Sequence, residues 1–330
     1  MEHHLEIQVI TSWNELEALS GILPKHLVGA DTFFQQLPIQ KAWWMSHGHP
    51  ELHTVVVYNA EKVVALFPLH KLEKTLQLNG HVDVTDYMDV IVEEGSAHEA
   101  WSAFGQYLHA LDGWESLKLI SIPHRSNSLT RLSDIASQHG WNVTQKEQDV
   151  CPIIPLPETW EEYLQMIGKK QRHEVTRKWR RLSESAQIEF RVVADTTVNA
   201  QVLETFYSLH RLSSPDKAAF WTDEHTTFFN EFSAAASSNG WLRLYFIDVN
   251  GEPAAAMYCF DYQDSLLVYN SGFDAEKYLG MSVGNVLTAY TIQDAITLGK
   301  KKYDFLRGGE EYKFRYRAQP HPVFDVVLER

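Results

Sequence analysis

The 330-residue sequence has only two cysteines, Cys151 and Cys259, and no Cys-x-x-Cys pair. Two distant cysteines cannot build a disulfide framework, and without paired thiols the common cysteine zinc motifs are excluded. Cys259 lies in the apolar run AAAMYCF, which is typical of a small buried thiol. We therefore expect no metal site, and a reducing, cytoplasmic setting.

Positive charge and long hydrophobic runs are also scarce. The chain has 29 Lys and Arg against 43 Asp and Glu, a net charge of −14. This balance argues against general nucleic-acid binding, because neutralising phosphates requires an excess of Lys and Arg. No apolar run approaches the length that spans a membrane, and the N-terminus carries Glu2 and Glu6 where a signal peptide would be hydrophobic. We expect no membrane span, and the composition predicts no particular oligomeric state.

Hydrophobic residues make up 44% of the chain, which is enough for packed cores, and the length suits two domains. The proline-rich segment CPIIPLPET predicts a boundary, with domains at 1–155 and 156–330. The same order of helices and strands recurs in both halves, with turns at Asn59-Ala60 and Asn250-Gly251. The sequence therefore predicts two copies of one α/β unit, each with a central mixed sheet flanked by helices.

A basic block occupies residues 169–181, where seven Lys and Arg stand in an otherwise acidic chain. Val175 and Trp179 recur at helical spacing, so one face of the predicted helix is anchored. A charged run is usually a solvated face. The concentration of charge equally favours an anion site, in which Arg172 and Arg177 would bind a pyrophosphate or a nucleotide-sugar diphosphate. Both interpretations stay open.

The stretch YDFLRGGEEYKFRYR, residues 303–317, changes character in its middle. Alternation along the predicted strand puts Asp304 on a sheet face among apolar neighbours, where a carboxylate can have a raised pKa and serve as a base. The pair Gly308-Gly309 permits a sharp turn or a close approach to a ligand. Glu310 follows as a second candidate base.

Three further residues of this stretch are candidates for holding an amine acceptor at the rim of a site: Arg307, Tyr312 and Lys313. On a resumed strand, Lys313, Arg315 and Arg317 would form one cationic edge. The alternative interpretation is a charged hairpin that protects a sheet edge from aggregation.

Four stretches together carry a family resemblance: FPL followed by DYMDVIV, KKQRHEVTRKWRRL, YLGMSVGNVL and YDFLRGGEEYKFRY. With them, the chain resembles the GNAT acyltransferase superfamily. The likeness is greatest to its tandem-domain CelD-type branch, which is associated with cellulose and exopolysaccharide biosynthesis and related to the Fem peptidyltransferases. The resemblance implies two tandem GNAT-like domains, with acetyl-CoA or another acyl-CoA as co-substrate bound in the second.

The superfamily binds the CoA pyrophosphate with a loop of the form Q/R-x-x-G-x-G/A at a helix N-terminus. The resemblance assigns this role to Lys277, Gly280, Ser282, Val283, Gly284 and Asn285. Lys277 stands where the family has Gln or Arg, and Ser282 where it has Gly or Ala. The alternative is a helix N-cap at Ser282 with glycines that serve packing.

Two further assignments come from the resemblance. Tyr269 would donate a proton to the leaving thiolate, although a packed strand aromatic is the alternative. Tyr87 and Asp89 of DYMD would line an acceptor cleft between the domains. A thioester is already activated, so no Ser-His-Asp or Cys-His arrangement is required.

These expectations converge on an acyl-CoA-dependent N-acyltransferase with a small amine acceptor, such as an amino sugar or nucleotide sugar of exopolysaccharide metabolism. One alternative is a Fem-like aminoacyl-tRNA-dependent peptidyltransferase, against which stand the acidic charge and the lack of a heptad segment. The other is a non-catalytic binding protein on the same fold, which the variant phosphate loop favours.

Overall fold

The computed structural model describes residues 5–19, 33–194 and 198–330. The chain divides into two compact units, Met1–Asp149 with Pro322–Arg330, and Val150–His321. No helix within the described residues is long and apolar enough to cross a membrane.

The first unit contains two sheets and four helices among its described residues. One sheet has the order β1-β3-β4-β7, and the other runs β15-β8-β6-β5-β2, with β6 and β8 parallel. Its elements are β1 (Leu5–Ile10), α1 (Trp13–Ala18), α2 (Leu37–Ser46), β2 (Glu51–Leu52), β3 (Thr54–Asn59), β4 (Lys62–Phe67), β5 (Leu69–Leu72), β6 (Thr75–Leu78), β7 (Ile91–Val92), α3 (Ala97–Ala110), β8 (Ser116–Pro123), α4 (Ser128–His139) and β15 (Gln319–Glu329). Helix α3 fills the core with Trp101 and Phe104, whose ring stacks on Phe67 at 3.8 Å.

The second unit, over the part of it that the structure describes, is a six-stranded sheet with helices on both faces. Its order is β10-β11-β12-β13-β14-β9, antiparallel except for the parallel pair of β13 and β14. Its elements are β9 (Asn142–Pro155, entering from the first unit), α5 (Trp160–Met166), α6 (Gly168–Ser185), β10 (Ile188–Ala194), α7 (Ala200–Ser213), α8 (Pro215–Phe220), α9 (Asp223–Ser238), β11 (Leu242–Val249), β12 (Glu252–Tyr262), β13 (Ser265–Phe273), α10 (Ala275–Tyr278), α11 (Val283–Thr297), β14 (Lys302–Asp304) and α12 (Glu311–Arg315).

Alternation along the central strands supplies both faces of this second sheet. Met257 belongs to the buried cluster that includes residues of α6 and α11, and its sulfur accepts from the Thr291 hydroxyl of α11. The next residue, Tyr258, contacts Phe206 of α7 and Phe229 of α9. Both residues are almost fully buried. Strands covered on both faces explain the continuous apolar run around Cys259.

The division between the units differs from the expected one. It falls inside β9, between Asp149 and Val150, and the first five residues of the proline-rich segment, 151–155, are the end of that strand. The segment is hydrogen-bonded without proline N–H groups: Pro152 O accepts from Phe305 N, and Leu156 N donates to Lys301 O. Residues 322–330 belong to the first unit, where β15 pairs with β8.

Candidate functional site

The two parallel strands of the second sheet diverge at their carboxyl ends. Their pairing covers only Ser265–Leu267 and Lys302–Asp304, while β13 continues to Phe273. On its other side β13 carries a β-bulge, because Tyr258 and Cys259 lie opposite Asn270 and Val268, so that Tyr269 is the extra residue. A bulge bends its strand. The sheet therefore has an opening between β13 and the segment that follows β14.

Helix α11 begins without a side-chain cap. Ser282 is left-handed, at φ +59°, and its side chain makes no capping hydrogen bond. The first hydrogen bond of the helix runs from Val286 N to Ser282 O, so the preceding N–H groups have no acceptor within the helix. A Cβ at Gly284 would meet nothing within 4 Å. The start of α11 therefore has both the N–H groups and the space for a phosphate.

Lys277, the expected phosphate partner, lies on α10 and is held elsewhere. Its ammonium pairs with the Glu252 carboxylate and lies 5.4 Å from the centre of the Tyr278 ring. The Glu252 carboxylate also raises the pKa of Lys277. Gly280, three residues on, has open space around it. Within the predicted phosphate loop, the start of α11 is therefore available to a phosphate, whereas the lysine is already paired.

A cavity of about 710 Å³ joins three of the predicted motifs. Its walls are the start of α6, the start of α11 and one side of α12. The charged and polar residues that line it are Lys169, Lys170, Gln171, Glu174, Lys178, Asn285, Glu311, Tyr312, Arg315 and Tyr316. The basic block, the predicted phosphate loop and the end of the GGEEYKFRY motif therefore meet around one space.

The basic block divides between this cavity and the surface. Lys178 Nζ donates to Asn285 Oδ1 at 3.1 Å, which links α6 to the start of α11. Arg177 forms a 2.6 Å ion pair with Glu174, which lines the cavity. Neither Arg172 nor Arg177 lines the cavity. The basic block is visible in the sequence. Helical spacing alone, however, does not show that Lys169, Lys170 and Lys178 are the members that line the cavity.

The segment after Gly309 is helical, so the expected resumed strand and its cationic edge are wrong. Lys313 is only 4% exposed, whereas Arg315 is exposed, lines the cavity and bonds to Glu311 Oε1 at 2.9 Å. Helix α12 turns these two residues to different sides, where a strand would have aligned them. The alternative of an edge-protecting hairpin fails for the same reason.

Lys313 holds the glycine loop together from inside. Its Nζ donates to Gly308 O at 2.9 Å and to Arg307 O at 3.3 Å, and pairs with Glu310 Oε2 at 2.7 Å. Phe305 O lies 3.5 Å from the same nitrogen, so the three N–H groups face four acceptors, which leaves the ammonium no donor for an acceptor substrate. Gly308 has φ +119°, a backbone conformation that residues with a side chain rarely adopt, so glycine is favoured there.

The two candidate bases lie in different surroundings. Asp304 is 5% exposed, and its Oδ1 accepts from Leu306 N at 2.7 Å. Leu306 is left-handed, at φ +53°, so this bond fixes the turn that ends β14. Glu310 precedes α12 with 59% of its side chain exposed. Glu310 is thus accessible from solvent and Asp304 is buried, and the role of base stays a prediction for both.

Tyr269 packs into the aromatic cluster under α9. Its ring centre lies 5.3 Å from that of Phe232 and 5.7 Å from that of Phe229. Two tyrosines that the sequence did not suggest as proton donors line the cavity instead, Tyr312 and Tyr316. Tyr316 donates to Asn285 O at 3.3 Å, and burial raises its pKa, so its phenol stays protonated at neutral pH. Tyr312 and Tyr316 are four residues apart, which places them on the same side of a helix. The expected strand did not suggest this relation.

Tyr87 and Asp89 belong to the first unit. Asp89 is buried and accepts from the Ser128 hydroxyl and from Val90 N, which ties the start of α4 to this loop. Tyr87 is half-buried. Their role at an acceptor cleft stays a prediction.

His210 of α7 is a buried histidine with one defined tautomer. Trp221 Nε1 can only donate, so His210 Nδ1 accepts from it at 3.0 Å. Nε2 then carries the proton and donates to Asn270 Oδ1 at 3.0 Å. Burial, together with the charges of Lys217 and Arg211, lowers the pKa of His210 to about 4.

This shift predicts a pH-dependent stability. Between pH 6.5 and 4 the unfolded chain binds the His210 proton and the folded protein does not, so the free energy of unfolding falls as the pH falls, by up to about 3 kcal/mol. Urea unfolding of the wild type and His210→Gln at pH 7 and 4.5 measures it. We expect the wild type's advantage over the variant to shrink at the lower pH. An advantage that does not change with pH would contradict the assignment.

Comparison with known proteins identifies the part of the chain that contains the cavity. Residues 169–314 match the acetyltransferase (GNAT) domain family. The matched residues all lie in the second unit. A comparison with curated proteins found no match.

Among solved structures, FemX is similar with a TM-score of 0.63 and 12% identity, over 97% of this chain and 96% of that one. L-PGS from Bacillus licheniformis has a TM-score of 0.53 and 11% identity, with 80% of each chain covered. A tandem GNAT protein from the clavulanic acid biosynthesis pathway has a TM-score of 0.50 and 11% identity, with 98% of each covered. At such identities the likeness shows the fold, a mixed α/β architecture shared with a tandem GNAT protein.

Within residues 5–19, 33–194 and 198–330, no group of three or more His, Cys, Asp or Glu is arranged to hold a metal ion. The charged groups around the cavity are chiefly lysines and an arginine, which suit an anionic ligand.

Proposed function

We propose that the second unit is an N-acyltransferase that moves an acyl group from acyl-CoA to a small amine. The observation that carries this proposal is the meeting of an uncapped helix start with Lys169, Lys170 and Lys178 around one cavity, inside a GNAT match. The diverging strands β13 and β14 give the thioester a place to reach the acceptor. The CelD-type resemblance suggests an amino sugar or nucleotide sugar as the acceptor and a cytoplasmic enzyme.

In this proposal, the N–H groups at the start of α11 and the three lysines bind the phosphates of the co-substrate. Its thioester supplies an acyl group that is already activated. Glu310 removes a proton from the acceptor, either from its ammonium before the attack or from the amine nitrogen as it attacks the thioester, because Glu310 is exposed beside the opening and held in place by Lys313. Tyr312 or Tyr316 gives a proton to the sulfur as the C–S bond breaks and the C–N bond forms.

Thermal shift with acetyl-CoA and longer acyl-CoAs tests this proposal. At a ligand concentration of 100 Kd, binding adds about 2.7 kcal/mol to the free energy of unfolding, which raises Tm by roughly 5 to 10 °C. We expect such a rise in the wild type and little in the variant with Lys169, Lys170 and Lys178 all changed to Met.

The matched control removes three positive charges from the same helix outside the cavity, as Arg177→Met, Arg180→Met and Arg181→Met. It should keep the full shift. If the acyl-CoA thermal shift falls equally in both variants, α6 acts only through its net charge. No shift with any chain length would reject the acyl-CoA proposal and favour a non-catalytic binding protein.

The second candidate is a Fem-like transferase that takes an aminoacyl group from tRNA. The arginines of α6 that stay outside the cavity give it some support, since Arg180 and Arg181 are exposed. Filter binding with aminoacyl-tRNA separates the candidates: tight, salt-dependent binding together with no acyl-CoA shift would favour the tRNA-dependent reaction.

A further inference from the structure

The opening between β13 and the segment after β14 has a rigid wall on the α7 side. Helix α7 approaches β13 so closely that a Cβ at Gly272 would lie 2.5 Å from His210 N and Cα. Ser213 Oγ accepts from Phe273 N at 2.8 Å, and His210 binds Asn270. This part of β13 is therefore fixed relative to α7 and the α8 helix that follows.

Helix α8 places one cation on this wall. The backbone of Lys217 is fixed, because its N–H donates to the Ser214 hydroxyl at 3.2 Å. Its ammonium donates to the carbonyl oxygen of Ser271, four residues beyond the last residue of β13 that pairs with β14. The side chain is half-buried. Of its three N–H donors, the hydrogen bonds within the described residues use one.

A carboxylate belongs to the segment that follows β14. Glu310 follows β14 and is close enough to Lys217 for the two charges to interact. Burial lowers the pKa of Lys217, and the Glu310 carboxylate offsets part of that shift. A half-buried ammonium with one carbonyl partner is stabilised by any anionic group that binds beside it.

We propose that Lys217 binds an anionic group, a carboxylate or a phosphate, that the acceptor carries near its amine. This inference rests on the proposed acyl transfer, with Glu310 at the amine. One positive and one negative side chain across a single opening complement a molecule that carries both charges. Amino acids, amino-sugar phosphates and nucleotide-linked amino sugars have this chemistry, and a plain amino sugar lacks it. Lys217 is thus a specificity-determining residue for the acceptor.

The test uses pairs of acceptors that differ only in the anionic group: D-glucosamine 6-phosphate against D-glucosamine, and L-alanine against L-alaninamide. We expect the wild type to prefer the anionic member of at least one pair. Lys217→Met keeps the side-chain stem and should raise KM for that member by about 10- to 100-fold, the range for a hydrogen bond to a charged group. It should leave kcat/KM for the neutral member within about threefold. The pair that responds distinguishes carboxylate from phosphate.

Lys302→Met is the control, because Lys302 pairs with Asp264 at the other end of β14. This variant should change KM for neither member of a pair. The acyl-CoA thermal shift is measured in every variant, and its absence in the wild type would reject the proposed function itself. With that shift present, the inference alone fails if the wild type shows no preference or accepts no member of either pair. It also fails if Lys217→Met raises KM equally for the anionic and the neutral member.

Discussion

Glu310→Gln is expected to lower kcat by about 100- to 10,000-fold, the range for losing one general base. The amide keeps the size and one oxygen of the carboxylate but cannot accept the proton of the amine. Acyl-CoA binding should persist, because Glu310 does not line the cavity that carries the lysines. Single-turnover kinetics with a saturating amine, together with an acyl-CoA titration, measures both quantities.

Two further variants make this result interpretable. Glu184→Gln, on the exposed end of α6 beside Arg180, removes a carboxylate far along the helix and should leave kcat unchanged. Asp304→Asn retains an oxygen that can accept from Leu306 N and should keep turnover within about tenfold of the wild type. If the Asp304→Asn protein is stable and loses more kcat than Glu310→Gln, which stays active, Asp304 is the base.

Gly272→Ala is expected to destabilise the second unit strongly, although it adds only one methyl group. The added Cβ would lie 2.5 Å from His210 N and 2.6 Å from Leu209 C, which are backbone atoms that cannot rotate away. Overpacking usually costs about 1–3 kcal/mol, and moving a helix backbone places this change at or above the upper end. Urea unfolding followed by circular dichroism gives the free energy of unfolding, and failure to express as folded protein agrees with the expectation.

Gly284→Ala is the matched control for stability, because a Cβ there would meet nothing within 4 Å and the residue lies in α11. Alanine is favoured over glycine in a helix by about 1 kcal/mol. This variant should therefore unfold no earlier than the wild type. Equal stability of both alanine variants would show that α7 can move away from β13, and would weaken the rigid wall assigned to the acceptor side.

Local sequence signals predicted much of the fold. Thr159 and Glu162 have the T-x-x-E spacing that predicts a capping box, and both of its hydrogen bonds are present at the start of α5. The sequence also predicts a helix at 127–140, which is α4, and a strand, a helix and a strand around YLGMSVGNVL, which are β13, α11 and β14. These features depend on neighbouring residues, so a single sequence contains them.

The features that the sequence could not supply depend on contacts between distant segments. Lys313 reads as a surface cation, yet carbonyls on the preceding loop bury it. Tyr269 is shifted by a bulge that only the pairing of β12 and β13 reveals. Likewise, β15 pairs with β8 across most of the chain, and no local pattern specifies that partner.

The candidate site shows the same division. The basic block and the glycine-containing loop were visible as composition, and each contributes residues to the cavity. Which lysines face that cavity depends on how α6 packs, through Val175 and Leu182, against the sheet. The sequence did not suggest Lys217, because its neighbours in sequence form no motif. Its proposed role depends on its hydrogen bond to Ser271 and its charge interaction with Glu310, both distant in sequence.

The most direct test of the account is to incubate the protein with acetyl-CoA and a panel of primary amines and quantify both products by mass spectrometry. Acyl transfer predicts free CoA and an N-acetylated amine in equal amounts, with both lost in Glu310→Gln. Free CoA without an acetylated amine, or no release of CoA with any amine, would contradict it.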